Sequence, residues 1–161
     1  MTQGPCTIAV SCMIAMITAS MIGLSAQTTS PFAGTWKLNL EKSKYDPGPA
    51  PMSSTVKIEA IENGEKAAVD QVDSQGRATH VEFTAKFDGK DYAVEGDPTQ
   101  DAVSNRKIND YSFETTRKKD GRVTVVNVTV VSSDGRVRTV TTTGTNARGQ
   151  KVNNVVVFDK Q

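Results

Sequence analysis

Glycine-bearing turns set the pace of this chain. Asn63-Gly64, Gln75-Gly76, Asp88-Gly89, Asp120-Gly121, Asp134-Gly135 and Arg148-Gly149 punctuate residues 33–161. The runs between them are short, alternate in polarity and recur about every ten residues, which is one strand and one tight hairpin at a time. That pattern specifies an all-β meander. The expected strands are residues 34–40, 55–62, 66–73, 79–87, 91–95, 102–108, 112–118, 122–132, 136–143 and 152–159. No window in this region repeats apolar residues at helical spacing, and the Val- and Thr-rich second half suits a pleated surface. Residues 41–51, with Pro47, Pro49 and Pro51 around Gly48, break the rhythm and are expected to form a loop, because proline removes ladder donors.

Hairpin links throughout favour neighbour-to-neighbour pairing in an up-and-down order. An open sheet of ten such strands would leave two edges and one apolar face in water, so closure into an antiparallel barrel is expected. Strands spaced about 4.8 Å apart and tilted about 45° give a radius near 11 Å, wide enough to leave space on the axis. The eighth and tenth strands carry valines on both faces and are expected to be central, buried or packed under a loop.

The amino-terminal segment reads differently. Residues 8–24 contain no charged side chain and end in Leu24-Ser25-Ala26 before Gln27, the small-residue pattern of a cleavable signal peptide. No Lys or Arg precedes the apolar stretch, and Met13 is an alternative start; an uncleaved anchor is the other reading of this segment. Residues 1–26 are therefore expected to direct export to the periplasm or outside the cell, leaving residues 27–161 as one domain with no stable membrane insertion. Both cysteines, Cys6 and Cys12, lie in the leader. No disulfide, thiolate ligand or cysteine nucleophile is expected beyond it. A net charge of +1, with no basic run longer than Arg117-Lys118-Lys119, argues against a nucleic-acid partner.

At Gly34-Thr35-Trp36 the sequence resembles the start of the lipocalin and fatty-acid-binding superfamily. Residues 31–39, residues 42–49 and the tail from Gly144 through Asp159 are similar to a group of uncharacterised secreted bacterial lipocalin-like proteins. The resemblance implies a calycin-type barrel with Trp36 as a structural residue across the closed end, packed against an arginine from a late strand, Arg138 or Arg148. Two departures stand out. A Pro-rich loop occupies the place of the helical lid of fatty-acid-binding proteins. The last strand, Val155-Val156-Val157-Phe158, lacks their carboxylate-holding Arg-x-Tyr pair.

Little catalytic chemistry is legible. The single histidine, His80, alternates onto the polar face of its strand beside Glu82. No Gly-x-Ser-x-Gly elbow accompanies it, and one histidine without cysteine does not make a zinc site. Asp70 and Asp73 before Gly76, and Asp97 and Asp101 around Pro98, read as turn acids rather than calcium ligands. No cofactor or metal is expected. Phe83, Ala85 and Phe87 share one face of the fourth strand, and Tyr111, Phe113, Thr115 and Arg117 share one face of the seventh. Phe83, Phe87, Tyr111, Phe113 and Arg117 are accordingly the candidate lumen lining. In the ninth strand, Val137, Thr139, Thr141 and Thr143 lie opposite Arg136, Arg138 and Val140.

Three functions fit this reading. The first is a monomeric carrier of a small lipophilic molecule, reached under the residue 45–51 loop. The second is an envelope interaction module with a filled barrel. The third is an enzyme using His80 with Glu82, or Tyr111 with Arg117, which requires those groups to converge in the lumen.

Overall fold

A computed structural model of the protein describes Met1, residues 30–146 and residues 148–161. The leader expected over residues 1–26 lies outside the described residues, apart from Met1. Ten strands follow one another: β1 (Gly34–Lys44), β2 (Ser53–Ile61), β3 (Gly64–Val72), β4 (Ala78–Lys86), β5 (Asp88–Glu95), β6 (Ala102–Asn109), β7 (Ser112–Lys119), β8 (Arg122–Val131), β9 (Val137–Thr145) and β10 (Lys151–Lys160). Each pairs antiparallel with its sequence neighbours, and β1 pairs with β10, so the sheet closes into an up-and-down barrel. Turn chemistry agrees with the residues present. Asn63 and Asp120 take positive φ, as do Gly76, Gly89, Gly121 and Gly135, which is what tight hairpins require.

The first strand runs further than its pattern suggests. It continues to Lys44, with an irregularity between Asn39 and Lys44, after which Lys44 pairs with Val155 of β10. Ser43 explains the extension. Its hydroxyl donates to Asn39 O at 2.6 Å and accepts from Val157 N at 2.9 Å, so a side chain bridges the interrupted ladder. The β4–β5 seam is the narrowest, with Glu82↔Glu95 and Phe83↔Val94 as its paired positions. Gly96 closes that seam at φ +83°, and the His80 carbonyl stands where a Cβ would be. Only glycine fits both demands.

One end of the barrel is plugged. Phe32, in the turn before β1, packs edge-on against Phe113 at 4.9 Å, and Phe87 lies 5.2 Å from Phe113. Trp36 is fully buried beside them, with Val56, Ile58, Ala67, Val131 and Phe158 in the same cluster. Its indole Nε1 donates to Phe32 O at 2.9 Å, which satisfies the polar atom and pins the plug to the strand. The cation over Trp36 is not an arginine. Lys160 Nζ lies 5.0 Å from its ring, whereas Arg138 stands 5.9 Å over Phe113 and Arg148 lies in the β9–β10 turn. The register decides this: Trp36 is directly opposite Lys160 across the closing seam.

The eighth strand also departs from expectation. Its inward residues are Asn127, Thr129 and Val131, while Val130 on the other face is 45% exposed. It is not buried on both sides.

Candidate functional site

Above the aromatic plug the barrel holds a cavity of about 260 Å³. Its lining divides by strand. The β2–β4 side supplies Val56, Ile58, Ala67, Val69 and Phe83 together with Ser54, Glu65 and Gln71, and β10 adds Val156 and Phe158 beside Asn154. The β7–β9 side supplies Thr115, Arg117, Asn127, Thr129, Arg138 and Thr142. An adjoining recess of about 350 Å³ shares Val69, Gln71, Phe83 and Arg117 with the cavity and opens beneath the turn that carries Asp97 and Gln100.

The polar wall is built by register. Asn105 faces Thr115, Thr115 faces Asn127, Asn127 faces Thr142, and Thr142 faces Asn154. An alternating Asn–Thr ladder therefore crosses five consecutive strands on their inner faces. Its members bond to one another and to charges. Thr115 Oγ1 donates to Asn105 Oδ1 at 2.7 Å, and Asn105 Nδ2 donates to Glu65 Oε1 at 3.2 Å. Because β4 and β5 separate β3 from β6, that second bond spans the interior. With its amide oriented to satisfy its neighbours, Asn127 donates to Thr142 Oγ1 at 2.8 Å and accepts from Arg117 Nε at 2.9 Å and Nη2 at 3.2 Å. At the mouth, Asn154 Oδ1 accepts from Asp46 N at 2.7 Å and Asn153 N donates to Asp46 O at 2.7 Å. These bonds tie the loop after β1 to β10. Tyr45 of that loop reaches the cavity, and burial pushes its phenol up to about 12, so it stays a hydrogen-bond donor.

Three charged side chains line the cavity. Glu65 is 2% exposed and Arg138 is 7% exposed, while Arg117 is partly buried. Glu65 Oε2, Arg138 Nε and Arg138 Nη1 are buried without a hydrogen-bond partner. Burial raises the Glu65 carboxyl above its usual range, opposed by the Arg138 charge and the Asn105 bond. Burial pulls Arg138 down, opposed by Glu65, and the nearby Arg117 charge lowers it further. Burial likewise lowers Arg117, with Asp97 opposing. A guanidinium nevertheless remains protonated in a protein, so the wall carries two fixed cations. Desolvated groups of this kind, converging on a cavity, mark a candidate binding site.

The residues expected in the lumen separate into three groups. Phe83 and Arg117 line the cavity. Phe113 is sealed into the plug, and Phe87 packs against it rather than reaching the open space. Tyr111 is a correction. It precedes β7 in the tight Asn109-Asp110-Tyr111 turn and is 46% exposed on the outer surface, so the alternation of β7 does not extend to it.

His80 is also outside the lumen. It pairs with Asp70 across the β3–β4 ladder, and its side chain is 55% exposed. Nδ1 lies 2.6 Å from Asp70 Oδ1 and Nε2 lies 3.2 Å from Glu82 Oε1. Neither His80 with Glu82 nor Tyr111 with Arg117 converges in the cavity. Asp73 is committed to its turn, accepting from Gln75 N, Arg77 N and Arg77 Nε at 2.8–3.0 Å. Among the described residues, no group of three His, Cys, Asp or Glu side chains is placed to hold a metal ion.

Sequence reasoning passed over Glu65, Asn105, Asn127 and Asn154 as site residues. A signal was present: asparagine is depleted from strand interiors, so three asparagines placed mid-strand ask for a reason. The geometry defines a class, a closed ten-stranded meander barrel with a plugged floor and a cavity of mixed polarity that holds three charged side chains. Comparison with family models, curated proteins and solved structures gave no match.

Proposed function

We propose that this protein is an exported, lipocalin-like binding protein that carries a small molecule in its barrel. One observation supports the reading above all: a cavity of about 260 Å³ lies between an aromatic plug and the Tyr45 loop, where a filled barrel would have none. Pockets that bind small molecules combine an apolar surface with a few placed polar groups. The division of this lining shifts the expected ligand from a purely apolar molecule to an amphipathic one. Its body would lie against Val56, Val69 and Phe83, and its polar end against the Asn–Thr ladder. Barrel closure leaves no strand edge to recruit a second copy, so the carrier acts as a monomer.

Native mass spectrometry of the protein, purified without detergent before and after organic extraction, tests this. An extractable adduct, or uptake of one from a lipid and metabolite extract, is the expected result. A clean apo mass combined with no uptake would overturn the carrier reading in favour of an envelope interaction module. The same spectra test export, because a cleaved leader leaves Gln27 as the first residue.

A further inference from the structure

The polar wall carries more than complementarity to water. Among the residues lining the cavity, two guanidiniums face one carboxyl. Arg117 is engaged by Asn127 through Nε and Nη2. Arg138 has no comparable engagement; its Nε and Nη1 are buried and unpaired, and its nearest charge complement is Glu65. Glu65 in turn spends Oε1 on Asn105 and leaves Oε2 unpaired. Buried polar groups are almost always satisfied, and one left alone is destabilising. Two unpaired donors and one unpaired carboxyl oxygen, from strands on opposite sides of one cavity, need a partner that both accepts from Arg138 and meets Glu65.

We propose that this wall is a site for a small organic carboxylate, which accepts from Arg138 with one oxygen and shares a proton with Glu65 through the other. The inference rests on the carrier reading and names the ligand class for that same cavity. An anion that takes Arg138 as its partner deprives Glu65 of its countercharge. Two carboxylates cannot both stay ionised at hydrogen-bond distance, so one proton is drawn from solvent onto the pair. No covalent bond between heavy atoms changes. The protonated Oε2 becomes the donor that the ligand oxygen accepts from.

The surroundings of Glu65 support this assignment. The flanking strands β2 and β4 bring Ser54, Val56, Ile58 and Phe83 to the lining, none of them ionisable. Across the lumen stand Asn105 on β6, Thr115 and Arg117 on β7 and Arg138 on β9; Asp97 acts on Arg117 from the mouth, and Tyr45 is a neutral donor there. Among the described residues, Glu65 is thus the one acid in the cavity lining, and burial already raises its carboxyl. A bound anion raises it further. Binding therefore takes up a proton over the pH range between the two values, and affinity falls as pH rises through that range.

Titration calorimetry on the purified, extracted protein with benzoate and cyclohexanecarboxylate, against benzamide and cyclohexanecarboxamide, tests the proposal. Measurements at about pH 6 and about pH 8, in buffers of different ionisation enthalpy, count the protons exchanged. The carboxylates should bind about tenfold or more tightly than the amides, with uptake of close to one proton. Glu65→Gln should abolish proton uptake and flatten the pH dependence. Arg138→Gln should erase the preference for carboxylate over amide.

Amides that bind as tightly as carboxylates to the unaltered protein would overturn the anion site while leaving the carrier standing. A carboxylate preference with no proton exchange would overturn the shared proton. Failure of all four probes at millimolar concentration, together with failure to take up any adduct, would remove the carrier reading itself. Each of these three outcomes is read on the unaltered protein, so a variant that fails to fold does not blunt the test.

Discussion

The two ends of the barrel interior solve opposite problems. At the closed end, Phe32, Trp36, Phe87 and Phe113 fill space with rings, and the one polar atom among them, Trp36 Nε1, has its partner in Phe32 O. Toward the middle, the β6–β9 wall is lined by amides, hydroxyls and guanidiniums and faces Glu65 of β3 across the lumen, and satisfaction is incomplete at Glu65 and Arg138. Stability is concentrated where packing is dense and polar groups are paired. On the proposed carrier reading, specificity would lie where charges have been desolvated without being fully matched. The plug holds the barrel together so that the wall above it can stay underpaired.

The largest effect should come from the plug. Trp36→Ala removes a fully buried indole and should cost about 3–5 kcal/mol in urea unfolding. A loss below about 1 kcal/mol would mean that the plug is not the stabilising end. Asn127→Leu strikes the opposite wall by stripping Arg117 of its acceptor, and should cost about 1–3 kcal/mol. Adding Arg117→Met to that variant should recover part of the loss, since the buried charge leaves with its partner. An additive double mutant would show that the two side chains do not act as a pair.

Glu65→Gln sharpens the contrast through pH. The folded carboxyl is raised from a reference of 4.5, so the folded state holds its proton longer than the unfolded chain. Stability contributed by the neutral acid is present below 4.5 and is lost as pH rises through the folded value. The variant should remove that decline, seen as flatter urea midpoints between acidic and neutral pH. Unchanged slopes would show that Glu65 is not a desolvated acid.

The smallest effect belongs to the outer surface. The hydrogen bond to Asp70, then that to Glu82, raises the His80 imidazole above 6.5. Its NMR titration midpoint should lie above that value, and Asp70→Asn should lower it. The associated stabilisation is present below 6.5 and fades as pH rises through the raised midpoint. Ligand affinity should not respond, because His80 faces solvent on the far side of the sheet from the cavity. A change in affinity on Asp70→Asn would connect the surface to the lumen and break the comparison.

The sequence by itself determined the architecture. Turn glycines and period-two runs located all ten strands to within a few residues, and hairpin-length links left neighbour pairing as the simple order. The exceptions are local and physical. β1 outran its pattern because the Ser43 hydroxyl bridges its irregularity to β10. Tyr111 fell into a turn one residue ahead of the strand whose alternation it continues in sequence.

Only the tertiary structure decided which face of each strand is the inside. Alternation assigns residues to two faces without naming the buried one, and the usual guide, apolar inward, fails for a barrel that keeps a cavity. In β8 the inner face is Asn127, Thr129 and Val131, and valines face out; in β9 Arg138 and Thr142 point in with Val140. The registers of successive hairpins aligned Asn105, Thr115, Asn127, Thr142 and Asn154 into one ladder, and closure of the sheet set Glu65 across the lumen from Asn105, 40 residues away. A pairing of that kind arises from closure, which is a property of the whole sheet and of no single strand.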